Sequence, residues 1–232
     1  MAKNALLVSL FLANAWGSVI GERTTSTCRT EGTDSIAKFD TANSLIGQLL
    51  PVFFAPAGTG TYGELRYSGA SKVDNEDVVA PAVNAISDPN VAVIGTIGTS
   101  LDFLLNRVFG TTVGIANLNP ATTITPVAGK VKSFDFKSVW VGCGTTAAQA
   151  ASLSLPCTVT VTGTDVRGNA KSTETISFGP DQLYNSTLAL REFKGWDEMV
   201  RVRMAVVAVD IGVPASATNL FFDDLTYCPR YV

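Results

Sequence analysis

The stretch from Lys130 to Phe178 constrains the fold most strongly, because it contains three consecutive strand patterns. Residues 134–141 alternate in character from one position to the next, as strands do. Residues 158–162 read Thr-Val-Thr-Val-Thr, which is typical of a half-buried strand. An Arg-Gly-Asn turn at 167–169 then precedes a third alternating run at 172–178. The sequence therefore predicts an all-β protein, an antiparallel β-sandwich.

The first of these strands carries large aromatic residues. Strict alternation places Phe134, Phe136 and Trp140 on one face, and Val139 and Val141 on the other. We expect the ring of Trp140 to belong to the core rather than to a ligand site.

The remaining strand predictions are spread along the chain. Residues 101–109 are apolar and could form either a strand or a short helix. No internal repeat and no linker interrupts the sequence, so we predict one domain from residue 22 to residue 232. Further strands are predicted at residues 36–40, 62–67, 91–94, 199–209 and 219–228.

The N-terminus has the pattern of a secretory signal peptide over residues 1–21. Lys3 precedes an apolar run at residues 5–16, and small residues that suit cleavage follow. The apolar run is shorter than the ~20 residues that a membrane span needs. The alternative is a buried N-terminal helix. We expect a secreted, extracellular protein without a membrane span.

Four cysteines can pair in three ways. Cys143 and Cys157 are predicted at the end of one strand and the start of the next, whereas Cys28 and Cys228 lie near the two ends of the mature chain. We therefore predict the pairs 143–157 and 28–228. In an oxidising compartment, free buried thiols are the less expected state.

Composition excludes several functions. The chain has no histidine, which rules out histidine-dependent nucleophiles and histidine-ligated metals within it. Its net charge of −3 gives no basic excess for nucleic acid. The oligomeric state is left open by the sequence.

Several short motifs together resemble a known group of proteins. They are Phe39-Asp40, Tyr-Gly-Glu-Leu-Arg-Tyr at 62–67, Phe-Asp-Phe-Lys-Ser at 134–138, Thr-Val-Thr-Val-Thr-Gly at 158–163, and Phe-Asp-Asp-Leu at 222–225. This series resembles secreted fungal proteins with a galactose-binding-like jelly roll, largely without assigned activity. It is also similar to non-catalytic carbohydrate-binding modules. The resemblance implies a β-sandwich of jelly-roll type.

The sequence departs from that group at two positions. Glu64 and Tyr67 stand where the fungal pattern usually has a glycine and a tryptophan. The apolar stretch around residues 95–120 is also longer than usual.

The resemblance also implies a structural Ca²⁺ ion. In such modules an aspartate of the last strand joins an acidic residue near the first strand, and Asp40, Asp223 and Asp224 match these positions. Calcium takes six to eight oxygen ligands, which carboxylates, carbonyls and waters can supply. The alternative is that Asp223 binds a neighbouring loop through hydrogen bonds, without a metal.

A polysaccharide-binding site would combine aromatic rings with a few polar groups. Trp196 follows a glycine in a polar loop, which makes it the candidate ring best placed for partial exposure. The resemblance to the fungal group implies instead that it packs under the sheet, and we favour this core position over a ligand site. Asp197 and Glu198 would be further polar partners. The candidate ligand-binding residues are Tyr62, Tyr67, Tyr184, Trp196, Arg201 and Arg203.

These residues favour non-catalytic binding of a cell-wall or extracellular polysaccharide. One alternative is a carbohydrate-active enzyme, a glycosidase or lyase using carboxylates or a tyrosine. The acid pairs at 76–77, 197–198 and 223–224 are adjacent in sequence, and adjacent strand residues point to opposite faces, so no catalytic residue is assigned. The other alternative is a secreted effector that binds a protein.

Asn185 begins the only acceptable N-glycosylation sequon, Asn-Ser-Thr, in a predicted loop before a strand. We expect a glycan to be tolerated at this position.

Overall fold

The structure, a computed structural model, describes residues 28, 34–39, 61–68, 70–74, 82–87, 90–94, 120–145, 153–209 and 218–232. These residues form twelve β-strands, and no helix of the described residues could span a membrane. The strands are β1 (Ser35–Ala37), β2 (Thr61–Tyr62), β3 (Leu65–Ser68), β4 (Ser71–Asp74), β5 (Asn90–Ile94), β6 (Ala121–Pro126), β7 (Val131–Thr145), β8 (Cys157–Asp165), β9 (Glu174–Phe178), β10 (Ala189–Glu192), β11 (Met199–Val209) and β12 (Thr218–Tyr231).

The strands form two halves of one antiparallel sheet that folds over a common core. The front sheet has the order β2-β3-β6-β11-β8-β9. The back sheet has the order β10-β7-β12-β5-β4, and β1 also pairs with β12. The halves are joined where Met199 of β11 pairs with Phe134 of β7. This arrangement confirms the predicted all-β fold, an antiparallel sandwich of jelly-roll type.

The core lies between the two sheets and follows the predicted alternation. On β8 the valines at 159 and 161 are fully buried, while the threonines that alternate with them, at 158, 160 and 162, are half-buried. On β11, Val202 and Met204 are fully buried and alternate with two exposed arginines. Burying each such side chain contributes about 1.5–3 kcal/mol. Period-two patterning therefore sets which face of the front sheet meets the core.

β7 departs from strict alternation. Its pairing with β12 shifts register on both sides of the Ser138–Thr226 pair, with one extra residue on each strand, and the two shifts cancel between the Phe136–Tyr227 and Trp140–Asp223 pairs. Such bulges reverse the faces of the residues beyond them. Val139 joins Phe136 in the buried core, and Trp140 is only partly buried against it. The predicted common face of Phe134, Phe136 and Trp140 is therefore wrong.

Residues 62–67 form a tight hairpin rather than one strand. Thr61 pairs with Arg66 and Tyr62 with Leu65, and Gly63 turns the chain with a φ of 60°. A positive φ is easily adopted by glycine. A Cβ atom at Gly63 would also lie 2.8 Å from the hydroxyl of Tyr227, so the turn needs a residue without a side chain.

Both predicted disulfides are confirmed: Cys28 pairs with Cys228, and Cys143 with Cys157. Chain-entropy estimates give about 3 kcal/mol of stabilisation for the shorter loop and about 5 for the longer one. Two disulfides are consistent with an extracellular protein. The predicted signal peptide and the ambiguous run at 101–109 lie outside the described residues.

Candidate functional site

The outer side of the front sheet carries three exposed arginines among hydroxyl side chains. Arg66 lies on β3, and Arg201 and Arg203 lie on β11, with all three side chains exposed. We call this surface the arginine face; its hydroxyl residues are Ser68, Thr123, Thr125, Thr162 and Thr164.

The strand register places these residues side by side. Arg203 opposes Thr123 of β6 on one edge and Thr162 of β8 on the other. Arg66 opposes Thr125, and the same register carried one step further brings Thr125 beside Arg201. Directly opposed residues share a face of the sheet. The guanidinium groups therefore project from one continuous polar surface.

The arginines lie close enough to contact one ligand. Arg201 and Arg203 are two positions apart on β11, with one residue between them, which puts their Cα atoms about 6.7 Å apart. β6 lies between β3 and β11, which puts Arg66 about 9.6 Å away across the sheet. The Arg201 guanidinium donates a hydrogen bond to the Thr164 hydroxyl at 3.3 Å.

Among the described residues of these strands, no carboxylate occupies a position on this surface. Asp165, at the end of β8, accepts hydrogen bonds from the backbone N–H groups of Arg167 and Asn169 and closes the β8–β9 turn. Glu174 opposes the buried Val161 and pairs with Arg191 of β10. The arginine face is thus cationic on a chain whose net charge is −3.

Two aromatic candidates are buried. The ring of Trp196 is 3% exposed and packs against Phe136 and Phe193, which is the favoured core position and not the partly exposed one. Gly163 makes room for it, because a Cβ atom there would lie 2.8 Å from the Trp196 ring. Tyr67 is 2% exposed beside Phe39. Since sugars stack on accessible rings, this geometry does not favour either as a sugar platform.

Tyr62 and Tyr184 have different surroundings. Tyr62 is half-buried, with its ring 5.0 Å from that of Phe39. Tyr184 is 40% exposed and lies in the loop 179–188. Of the four aromatic candidates, Tyr184 presents the most accessible ring, away from the arginine face.

The loop at 179–188 is organised by Asp181. Its carboxylate accepts hydrogen bonds from the Ser186 hydroxyl at 2.5 Å and from the Thr187 backbone N–H at 3.1 Å. The Ser186 bond is the main cause that lowers the pKa of Asp181 from its ordinary value. Asn185 is exposed with a φ of 54°. Its glycosylation stays a prediction.

Asp223 binds a neighbouring loop. Its Oδ2 accepts hydrogen bonds from the backbone N–H groups of Ile86 at 2.7 Å and Ser87 at 3.1 Å, and its Oδ1 accepts one from Asp224 N–H at 2.8 Å. The side chain is fully buried, and burial raises its pKa to about 7 in spite of these bonds. Asp223 therefore fastens residues 86–87 to β12.

This environment can be tested against the predicted calcium site. Three N–H groups point their hydrogens at the oxygens of Asp223, where a cation would meet their positive ends. The described contacts thus fit the loop-binding alternative better than a metal ligand. Asp224 is also buried, and Asp40 lies outside the described residues. A structural Ca²⁺ ion stays a prediction.

A group of two cysteines and an acid near the chain ends is not a thiolate metal site. Asp34 Oδ1 lies 3.1 Å from the sulfurs of both Cys28 and Cys228. Because those sulfurs are bonded to each other, they carry no hydrogen and cannot ligate as thiolates.

A buried ionic network on β7 was not predicted. The Asp135 side chain is 1% exposed and forms two hydrogen bonds with the Arg230 guanidinium, at 2.9 and 3.2 Å. It also accepts the backbone N–H of Glu198 at 2.9 Å, and Lys137 lies 3.8 Å away. Glu198 has a φ of 57° and pairs with Arg230. The network ties the end of the chain to the loop before β11.

A second unpredicted contact joins β12 to the β2–β3 turn. The buried Tyr227 hydroxyl donates a hydrogen bond to Glu64 at 2.6 Å. Burial, and then the Glu64 carboxylate, raises the pKa of Tyr227 above its ordinary value. Since a catalytic base must reach its substrate in the deprotonated state, Tyr227 is poorly suited to that role.

An open cleft of about 520 Å³ lies beside β9 and β10. Its walls include Glu174 and Arg191, whose charged groups pair with each other. The residues that line it are Glu174, Leu190, Arg191, Glu192 and Lys194.

No protein-family model matches the chain, and no significant match among curated proteins is found. Solved structures show distant similarity. A DUF4465 family protein from Bacteroides caccae is 13% identical with a TM-score of 0.41, over 72% of this chain and 80% of that one. A mutant of the family 29 carbohydrate-binding module CBM29-2 is 9% identical with a TM-score of 0.36, over 85% and 92%.

An arabinose-bound α-L-arabinofuranosidase, MgGH51, is 10% identical with a TM-score of 0.37. The similarity covers 83% of this chain but only 25% of that enzyme. At these identities and TM-scores, the three similarities carry no inference about a ligand or an activity.

Proposed function

We propose that the protein is a secreted, non-catalytic binding protein for a cell-wall or extracellular polysaccharide. The observation that carries this proposal is the arginine face, where exposed guanidinium groups lie among hydroxyl side chains on one sheet. Sugars are recognised by groups that donate and accept hydrogen bonds at fixed spacing. Side chains on a hydrogen-bonded sheet are held at such spacing.

Secretion is part of the proposal. The signal-peptide pattern at residues 1–21 and the two disulfides support it. N-terminal sequencing of protein recovered from culture medium would test it: a mature chain beginning near residue 22 is expected, and retention of the full-length chain inside the cell would contradict it.

Three of the described carboxylates are held within the fold, which supports binding over catalysis by these acids. Asp135 is held by Arg230, Asp223 by backbone N–H groups, and Glu64 by Tyr227. Each of these acids is engaged in a bond between distant parts of the chain. A glycosidase needs two carboxylates that converge on an accessible sugar.

The test is affinity electrophoresis of the full, disulfide-intact protein through gels that contain single polysaccharides. We expect one class of polysaccharide to retard the protein without release of new reducing ends, both with calcium and with a chelator. Release of reducing ends would contradict the non-catalytic role. A folded protein that no polysaccharide retards would contradict the proposal as a whole.

A further inference from the structure

We infer that the arginine face selects a polyuronate, a polysaccharide whose sugars carry carboxylate groups; this inference rests on the proposed function. Three guanidinium groups share one surface, and the described strands place no carboxylate among them. The surface thus provides positive charge that no carboxylate of the described strands neutralises at these positions.

Guanidinium groups suit this ligand for a geometric reason. The planar fork of arginine forms two parallel hydrogen bonds with one carboxylate, which a neutral sugar hydroxyl cannot match. Arg66 and Arg203 take part in no ion pair among the described residues. Both therefore remain available to an anionic ligand.

The hydroxyl residues of the arginine face can form hydrogen bonds with the hydroxyl groups of the same sugar. Arg203 has a threonine directly beside it on each neighbouring strand, Thr123 and Thr162. Threonine hydroxyls donate and accept hydrogen bonds, as sugar hydroxyls do. A ligand that alternates carboxylates with hydroxyls is therefore complementary to the pattern of this surface.

Charge density separates a polyuronate from other polyanions. The chain has a net charge of −3, so the protein as a whole has no basic excess that would attract a densely charged polymer. The arginine face offers three positive charges over roughly 10 Å, at the sheet spacings of these strands. A polymer with one charge per sugar fits this density better than a sulfate-rich or phosphate-rich one.

Arg66 is the residue that this inference adds to the candidate ligand-binding residues predicted from the sequence. It is 135 and 137 residues from Arg201 and Arg203 in sequence (201 − 66 and 203 − 66), and the pairing of β3 with β6 and of β6 with β11 brings it to the same surface. It extends the cationic surface across three strands, which lets a polymer lie across the sheet rather than along one strand.

The test measures binding of the full, disulfide-intact protein to polygalacturonate and to the same polymer after its carboxyl groups are reduced to alcohols. We expect binding to polygalacturonate that weakens at least tenfold on carboxyl reduction. Arg203→Gln should weaken it about tenfold or more, and Arg66→Gln by a similar factor. Arg203→Lys should fall between wild type and Arg203→Gln, because charge is kept and the fork is lost.

Arg167→Gln is the matched control, because Arg167 is an exposed arginine in the β8–β9 turn that lies off the arginine face. It removes the same charge and should leave binding within twofold. An equal loss in Arg167→Gln and Arg203→Gln would overturn the inference, since it would show only a general charge effect. Thermal unfolding of each variant verifies that the fold is retained.

The outcomes separate the inference from the proposed function. Equal binding of the native and the carboxyl-reduced polymer would overturn the polyuronate inference and leave polysaccharide binding intact. Tighter binding to dextran sulfate than to polygalacturonate would overturn the carboxylate preference in the same way. Binding to no polysaccharide of any class would overturn both.

Discussion

The outer surfaces of the two sheets use polar residues in opposite ways. On the front sheet, the arginine face leaves Arg66 and Arg203 exposed and outside any ion pair among the described residues. On the back sheet, loops cover much of the corresponding surface, although Trp140 is only partly buried; we call it the covered face. Its residues are Asp135, Trp140, Gly142 and Gly144 of β7, with Phe221 and Asp223 of β12.

Three loop segments produce this difference: residues 82–87, the segment around Ser154 and the loop 179–188. Residues 82–87 bind Asp223 and place Ala82 and Val83 against the glycines of β7. Ser154 donates its hydroxyl to the Ala82 carbonyl, and Ser186 donates its backbone N–H to the same carbonyl at 3.0 Å. Polar groups on the covered face therefore satisfy one another, as buried groups must. On the arginine face, Arg66 and Arg203 have no ion-pair partner among the described residues, so their charges can meet a ligand.

The largest effect is expected from Asp135→Asn. This change removes the buried carboxylate from the Arg230 guanidinium, which keeps only its partly exposed ion pair with Glu198, and breaking one half of a buried pair costs about 3–5 kcal/mol. Urea unfolding would measure it. The matched control is Glu174→Gln, which breaks an accessible pair with Arg191 and should cost no more than about 1 kcal/mol. Similar costs for the two variants would contradict the contrast between buried and exposed pairs.

Sequence patterns predict some of these features and miss others for a physical reason. Strands β8 and β11 and both disulfides follow from local alternation and from cysteine positions. Arg201 and Arg203 were candidates because they alternate with apolar neighbours on β11. Local patterns are the part of a fold that a single sequence displays directly.

What the sequence does not display is contact between distant segments. Asp135 and Arg230 are 95 residues apart, and nothing local to either predicts their pairing. The polar neighbours of Trp196 suggest a partly exposed ring, but the space that this ring fills beneath the sheet depends on Gly163, which is far from it in sequence. The bulge in β7 likewise depends on its pairing with β12.

The pH dependence of Asp223 is the next prediction. Its folded-state pKa of about 7 lies above the ordinary value near 4, so the folded state holds this proton more tightly than the unfolded chain. Its contribution to stability is fully present below about pH 4 and is lost as the pH rises through 7, by at most about 1.4 kcal/mol per pH unit.

Asp223→Asn isolates this contribution, because the amide does not titrate. We expect the difference in free energy of unfolding, wild type minus variant, to fall between pH 4 and pH 7 and then to level off. Chemical denaturation at half-unit steps of pH would measure it. A difference that stays constant over this range would show that the Asp223 carboxylate titrates as if exposed.

Gly144→Ala probes the covered face directly. The new methyl group would overlap Ala82 Cβ and lie 3.0 Å from the Leu153 carbonyl oxygen, so a loop must move. Overpacking of this kind costs about 1–3 kcal/mol. Gly179→Ala is the control, because a Cβ atom there meets nothing within 4 Å, and it should change stability by less than about 0.5 kcal/mol. Equal free energies of unfolding for the two variants would mean that the loop moves aside without destabilising the fold.

The smallest effect on stability is expected on the arginine face. Arg203→Gln changes an exposed side chain that opposes two threonines, and we expect the free energy of unfolding to stay within about 0.5 kcal/mol of wild type. Thermal and urea unfolding would both measure this. A loss above 1 kcal/mol would mean that Arg203 stabilises the sheet, and would weaken the distinction between the two surfaces. Unchanged stability with weakened polyuronate binding would instead show that Arg203 acts on a ligand and not on the fold. The two surfaces would then differ in role: polar groups of the back sheet hold loops, and arginines of the front sheet bind a ligand.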